Sequence, residues 1–150
     1  MNKKNLEALK PTQAYLGVTW AAFAFSVIVF GIGLFNAEML LSEKGFYILA
    51  LVFGLYSVIT LQKTVRDQSE GVEVDSAYLI LSYIGVAVPL LSIGIGLFNA
   101  ELQLNEKGFF AVTYIMTLFS SLVLQKNTRD TAFFDETSVP NVFKAKTEKD

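Results

Sequence analysis

Four stretches of this chain contain no Asp, Glu, Lys or Arg, and they constrain its fold more than any other feature of the sequence. Tyr15 to Phe35 is uncharged over roughly 21 residues, about 32 Å as a helix, which matches the hydrocarbon core of a bilayer. Ala77 to Phe98 is a run of comparable length. A soluble protein needs no such segregation of charge, whereas a charge at the centre of a bilayer costs at least ~2.5–3.5 kcal/mol. We therefore predict an all-α membrane protein.

Two further uncharged runs, Phe46 to Leu61 and Phe109 to Leu124, are shorter. At roughly 16 residues each, they fall just below the usual spanning range of ~17–25 residues. The second of the four runs can still cross if the flanking residues are helical and Lys63 extends its ammonium group to the lipid headgroups. A re-entrant hairpin is the alternative for that run. The prediction that follows is four transmembrane helices, with two of them short.

The absence of two residue types excludes several kinds of site. The chain has no Cys and no His, which rules out disulfides, thiolate metal sites, His-ligated haem and the usual catalytic imidazole. Its formal net charge of -2 gives no basic face for a nucleic acid. No carboxylate or amine lies at mid-membrane, where a proton-coupled pump would normally carry one. We expect neither enzymatic activity nor a cofactor.

The second half of the chain repeats the first half at an offset of 63 residues, so that position 31 matches position 94. The segment Gly31–Glu38 recurs without a gap as Gly94–Glu101. Further matches relate Glu43–Phe46 to Glu106–Phe109, Gln62-Lys63 to Gln125-Lys126, and Arg66-Asp67 to Arg129-Asp130. Because the offset contains two helices, both copies enter the membrane from the same side. The sequence therefore predicts two tandem, parallel helical hairpins related by a pseudo-two-fold axis along the membrane normal.

The repeat and the placement of charge divide the chain into five parts. We predict a cytoplasmic amino-terminal segment over residues 1–13, a first two-helix transmembrane repeat over 14–67, a cytoplasmic linker over 68–76, a second repeat over 77–130 and a flexible cytoplasmic tail over 131–150. Lys and Arg are enriched in cytoplasmic loops and decide this orientation. They collect in both termini and, as Lys63 and Arg66, just before the linker, while the two hairpin loops hold only Lys44 and Lys107.

The paired motifs Gly-x-Gly-Leu-Phe-Asn-Ala-Glu and Gln-Lys-x-x-Arg-Asp resemble those of the YiaA/YiaB family of small bacterial inner-membrane proteins. The resemblance covers about Tyr15 to Asp130 and leaves out both tails. It implies a multi-pass protein of the bacterial inner membrane, since YiaA-like members carry two units of a two-helix domain. It implies no settled activity, because the family is functionally uncharacterised.

The ends of the first and third spans carry the first candidate functional residues, Asn36, Glu38, Asn99 and Glu101. Under the pseudo-two-fold axis, Glu38 and Glu101 are equivalent and would face each other. One reading is a pair of carboxylates at a pore mouth that binds a cation or shares a proton. The favoured reading is structural, with these side chains bonded to backbone groups in the turn or paired with Lys44 and Lys107.

The opposite ends of the second and fourth spans carry Lys63, Arg66, Lys126 and Arg129. The favoured interpretation is a basic helix exit with ion pairs four residues apart, each worth only a few tenths of a kcal/mol. The alternative is contact with an anionic lipid headgroup between the two equivalent exits.

Small and polar residues near the loops have expected structural roles. Ser42 and Asn105 precede Glu-Lys-Gly and are predicted to cap the following helices. The Gly31-x-Gly33 motif and its copy supply small residues that permit close contact between helices in lipid.

For function, the sequence favours a non-enzymatic membrane module that supports or modulates a partner, or an envelope stress response. The alternative is a small oligomeric channel or exporter for a small solute or ion, with Glu38 and Glu101 at its outer mouth. Besides the lipid bilayer, the expected partners are further copies of the chain or another membrane protein, because four short helices bury little internal volume.

Overall fold

Four α-helices make up almost all of the described chain. The structure, a computed structural model, describes the backbone of residues 11–138 and the side chains of residues 11–133. The helices are α1 (Gln13–Asn36), α2 (Leu41–Ser69), α3 (Ser76–Asn99) and α4 (Leu104–Ser138). All four are long and apolar enough to cross a membrane, which confirms the predicted fold class. Residues 37–40 and 100–103 form two short loops at one end, here called the loop end; residues 70–75 link α2 to α3 at the other, the linker end.

Polar residues fix the helix boundaries at the linker end. Before α1, the Thr12 side chain accepts a hydrogen bond from the Tyr15 backbone N–H at 3.2 Å. Before α3, Asp75 accepts one from the Ala77 N–H at 3.4 Å. Such caps satisfy backbone donors that have no partner within the helix. After α2, Gly71 adopts a φ of 81°, which favours glycine, and the chain turns back there.

Several predicted boundaries need correction. The α2 helix has 29 residues, because it continues through the polar residues that follow the uncharged run. It is therefore long enough for a full crossing, and its length does not favour the re-entrant alternative. The predicted linker shortens to 70–75. The α4 helix continues to Ser138, so the prediction of a flexible tail is wrong for 131–138, while residues 1–10 and 139–150 lie outside the described range.

Each repeat packs mainly against the other repeat. The α1 helix lies along α4 and α2 lies along α3, whereas the two helices of one repeat barely touch in the first repeat and make limited contact in the second. Close approach depends on glycine: a Cβ on Gly96 would come within 2.7 Å of the Phe46 ring, and one on Gly33 would collide with Phe109. These two contacts are equivalent under the repeat offset. The pseudo-two-fold axis therefore relates an α1–α4 seam to an α2–α3 seam.

The centre of the bundle is filled by aromatic side chains towards the loop end. Phe30 packs edge-on against Phe110 at 5.7 Å between ring centroids, and Tyr47 stacks on Phe110 at 6.0 Å. Tyr114 is 0% exposed, and its hydroxyl donates to the Ala50 carbonyl at 3.1 Å. A filled centre leaves no conduit along this part of the bundle.

Towards the linker end, polar side chains occupy the interior and large apolar side chains lie outside. The Ser26 and Ser120 hydroxyls are 3.4 Å apart across the α1–α4 seam, and Thr64 and Ser82 are 3.3 Å apart across the α2–α3 seam. Exposed apolar side chains include Phe25 on α1. This inverted distribution suits a solvent of lipid, in which polar groups must be satisfied inside the protein.

Candidate functional site

The loop end is built twice, with the same hydrogen bonds in each repeat. Lys44 donates to the Phe35 carbonyl at 2.9 Å, and Lys107 donates to the Phe98 carbonyl at 3.1 Å. Each lysine thus satisfies a carbonyl at the end of the preceding helix, where the negative end of the helix dipole also attracts a cation. The predicted pairing of these lysines with Glu38 and Glu101 is not found among the described residues.

Glutamates cap the starts of α2 and α4. The Glu43 carboxylate accepts the Leu40 N–H at 2.8 Å, and Glu106 accepts the Gln103 N–H at 2.9 Å. The prediction that Ser42 and Asn105 would be the N-caps is wrong, because each helix begins before them. A glutamate in the first turn reaches back to a free backbone N–H, so a cap residue with its own side-chain acceptor is not required.

Glu38 and Glu101 line one cavity. This cavity has a volume of about 650 Å³, opens at the loop end and adjoins the α2–α3 seam. Its lining is Glu38, Met39, Leu40, Glu43, Asn99, Ala100, Glu101 and Leu102. Met39 and Leu102 also pack against the hydrophobic core, so its floor is apolar. We call it the acidic cavity.

Asn36 lies elsewhere. It lines a second cavity of about 460 Å³ at the loop end of the α1–α4 seam, with Asn105, Glu106 and Phe109 among its neighbours. Its equivalent Asn99 lines the acidic cavity but donates its side-chain amide to the Ile95 carbonyl at 2.9 Å. The structure therefore brings three of the four candidates together and places the fourth on the other seam.

The acidic cavity has the chemistry of a cation-binding surface rather than a metal centre. Glu38 and Glu101 are exposed and form no ion pair within the described chain. No three acidic side chains in that range come close enough to hold a metal ion. Separate carboxylates beside an apolar floor would attract an organic cation, whose charge is spread and whose body is apolar.

At the linker end, the two equivalent arginines meet on one carboxylate. Glu70 lies 3.7 Å from Arg66 and 3.7 Å from Arg129, so it joins the two repeats. Each arginine also contacts the aspartate that follows it, at 3.0 Å for Asp67 and 3.3 Å for Asp130. Both arginines would have to release these carboxylate partners before they could bind an anionic headgroup.

The two lysines of this basic group differ. Lys63 forms the expected ion pair with Asp67 at 3.5 Å, and its side chain is 68% exposed. Lys126 forms no such pair within the described residues and is exposed. Lysines therefore present the accessible positive charge at this end, while contact with a lipid headgroup stays a prediction.

Sequence reasoning missed the lipid-facing side of α1. Gly31 and Gly17 point outward with no atom within 4 Å of an added Cβ, although Gly31 was expected to pack between helices. Ala21 and Ala24 are exposed on the same side. Their spacing of four, three and seven residues would have shown one helical face, but it could not show that this face points away from the bundle.

Comparison with known proteins places the chain in a family. The family described as the yiaA/B two helix domain matches residues 15–67 and again 78–130. The chain is 40% identical over 117 residues to "Inner membrane protein YiaA" of Escherichia coli (strain K12), covering 78% of this chain and 81% of that protein. It is 38% identical over 64 residues to "Uncharacterized membrane protein YubF" of Bacillus subtilis (strain 168), covering 42% of this chain and 74% of that protein. No solved structure matches.

Proposed function

Because this chain belongs to the yiaA/B two-helix-domain family and is a multi-pass membrane protein, we propose that it is a non-enzymatic module of the bacterial inner membrane that holds a transmembrane helix of a partner protein against α1. The same family membership supports the location. The proposed orientation places the linker end, with its lysines and arginines, in the cytoplasm.

The outward face of α1 carries this proposal. Gly17, Ala21, Ala24 and Gly31 share that face with Ile28, and all five are exposed. In lipid, helices associate through small residues that let their backbones approach, because no hydrophobic driving force separates apolar side chains from apolar lipid tails. A face of this composition therefore suits a second helix better than it suits acyl chains.

The equivalent face of α3 provides an internal comparison. At the positions that correspond to Gly17 and Ala21, α3 has Ile80 and Ile84. Both isoleucines are more than half exposed. Ala87 and Gly94 match Ala24 and Gly31, so the two faces differ in the half towards the linker end, where only α1 has small residues. We infer one docking face per chain.

The test is purification of the full chain from native membranes in mild detergent, followed by mass analysis of what accompanies it. We expect one distinct membrane protein at a fixed ratio, lost in the Ala21→Ile, Ala24→Ile variant and kept in the matched Ala87→Ile variant of α3. Recovery of no companion, or equal retention by both variants, would contradict the proposal.

A second candidate function is an oligomeric channel, favoured by one observation: Glu38 and Glu101 share the acidic cavity. Because the described bundle is filled below that cavity, the conduit would have to form between copies. In proteoliposomes, Glu38→Gln with Glu101→Gln should then change ion flux. Equal flux through the variant and the unmodified chain would remove the carboxylates from a pore mouth.

The proposed orientation has its own test. A reporter that is active only in the cytoplasm, fused after Asp150, should be active, and the same reporter inserted after Glu101 should be silent. The reverse pattern would invert the molecule in the membrane and move the acidic cavity to the cytoplasmic side.

A further inference from the structure

The two seams of the bundle should be alike, and the α2–α3 seam departs from the α1–α4 seam in a consistent way. In the α1–α4 seam, Ser26 contacts Ser120 through their hydroxyls. Their counterparts are Pro89 and Ser57, and Pro89 has no side-chain hydroxyl. Ser57 is 4% exposed, and its hydroxyl has no hydrogen-bond partner within the described chain.

Proline adds a second unsatisfied group beside the first. Pro89 has no N–H, so the Gly85 carbonyl, four residues earlier, lacks its helical donor. A Cβ built on Gly85 would lie 3.7 Å from the Ser57 hydroxyl, which places Gly85 beside Ser57 across the seam. Buried polar groups normally have partners from protein, water or ligand. These two groups mark how this seam differs from the other, although neither Ser57 nor Gly85 lines the groove described next.

A groove continues from this point towards the loop end. It has a volume of about 310 Å³, at the lower end of the ~300–1,000 Å³ of small-molecule sites. Its lining is Phe46, Leu49, Ala50, Phe53, Pro89 and Ser92. Leu49 and Phe53 are exposed on the outside of the bundle, so the groove opens to lipid. The Ser92 hydroxyl has no hydrogen-bond partner in the described part of the chain, whereas the equivalent position in the other seam holds Val29.

The acidic cavity lies at the loop end of this same seam. Glu43 at the start of α2 and Asn99 at the end of α3 line it together with Glu101. The cavity at the matching end of the α1–α4 seam is lined by a single glutamate, Glu106. Negative charge, an apolar groove and the free Ser92 hydroxyl thus lie along one seam, with the contact between Phe46 and Gly96 between Ser92 and Asn99.

We propose that the α2–α3 seam binds one glycerophospholipid whose headgroup carries a primary ammonium, with the ammonium at the acidic cavity, an ester carbonyl accepting from Ser92 and an acyl chain across Pro89. Ser92 precedes Asn99 by seven residues, about 10 Å along the helix. The phosphate and glycerol of the lipid lie within that span. The carboxylates select the ammonium by charge, and the groove admits the chain because the compact Pro89 ring leaves space between Leu49 and Phe53.

The experiment is native mass spectrometry of the full chain in mild detergent, titrated with phosphatidylethanolamine or with phosphatidylglycerol of the same acyl chains. We expect one bound lipid per chain, with phosphatidylethanolamine about tenfold tighter. Ser92→Val should weaken it about fivefold, the loss of one hydrogen bond. Val is the residue found at the equivalent position, so this variant is designed to keep its fold.

Two matched variants separate the site from general lipid binding. Glu101→Gln should remove most of the headgroup preference, whereas Glu106→Gln, on the other seam, should leave it unchanged. Equal affinity for the two lipids would overturn the proposal, as would unchanged binding in Ser92→Val. If that variant does not fold, the headgroup comparison on the unmodified chain decides alone.

Discussion

The Tyr114 hydroxyl is one of the groups that link the two longest helices, α2 and α4. Tyr114 on α4 donates to the Ala50 carbonyl on α2 and is fully buried, and Gly54 leaves the space that its ring and hydroxyl occupy. Tyr114→Phe should lower the free energy of unfolding in detergent by about 1 kcal/mol, because the ring is kept and one hydrogen bond is lost. Tyr83→Phe, on an exposed tyrosine, should change nothing; equal stability of all three proteins would contradict this role.

Two glycines that are two residues apart should differ in how much a substitution lowers the free energy of unfolding. A side chain on Gly33 collides with the Phe109 ring, whereas one on Gly31 meets no atom. Gly33→Val should lower the free energy of unfolding by about 1–3 kcal/mol through overpacking, and Gly31→Val should leave it unchanged. Thermal unfolding of the purified variants measures both. Loss of stability in Gly31→Val alone would show that the packed face of α1 has been assigned wrongly.

The Gly-x-Gly motif shows which packing contacts of single residues can be predicted from the sequence. It predicted close packing, and Gly33 and Gly96 confirm it. It could not predict that Gly31 and Gly94 face outward, although residues two apart on a helix point to nearly opposite sides. Which of the two faces is buried depends on the position of the other repeat, and no local pattern contains that information.

At the scale of the helices, the loop-end lysines cap the preceding helices, whereas an ion pair with Glu38 or Glu101 was one of the two structural alternatives from the sequence. Lys44→Met should expose the Phe35 carbonyl and fray the end of α1, at a cost of about 1 kcal/mol. Hydrogen exchange at the end of α1 should rise. Lys63→Met is the control, since the side chain of Lys63 is largely exposed. Unchanged exchange in Lys44→Met would show that the lysine is not needed for the cap.

The existence of the helices was predictable, and their pairing was not. Uncharged runs identified all four spans because the cost of a charge in lipid is large. The ends of α2 and α4 were missed, since polar residues beyond Leu61 and Leu124 continue the helices outside the apolar layer. Short loops suggested closed hairpins, but Phe46 and Phe109 fit against glycines of the opposite repeat, and this packing decides the pairing.

For the whole molecule, cross-repeat pairing predicts that neither repeat is complete alone. When residues 1–70 and 71–150 are produced as separate chains, each should bind the other, because each holds one half of both seams. Affinity purification of one tagged half should recover the other at a fixed ratio. A monomeric half that unfolds cooperatively by itself would show that the hairpins are independent units.

Because of the same interlocking, both proposals rest on differences between the two repeats. Repeats related by an axis should present equal surfaces, so the differences between them mark the residues that structure alone does not require. The small outward face of α1 and the open α2–α3 seam are two such differences. The matched positions could be read from the sequence. The difference at Pro89 and Ser92 could be interpreted only when the structure placed their counterparts, Ser26 and Val29, in the α1–α4 seam.

The most direct test of the account is a pair of engineered disulfides, since the natural chain has no cysteine. The Ser26 and Ser120 hydroxyls lie 3.4 Å apart across the α1–α4 seam, so cysteines at these positions would bring two thiols close together. Mild oxidation of the Ser26→Cys, Ser120→Cys chain in membranes should give rapid, intramolecular cross-linking. The within-repeat pair Ser26→Cys, Ser57→Cys should not cross-link. Cross-linking of the second pair in preference to the first would contradict the pairing of the repeats and, with it, both seams.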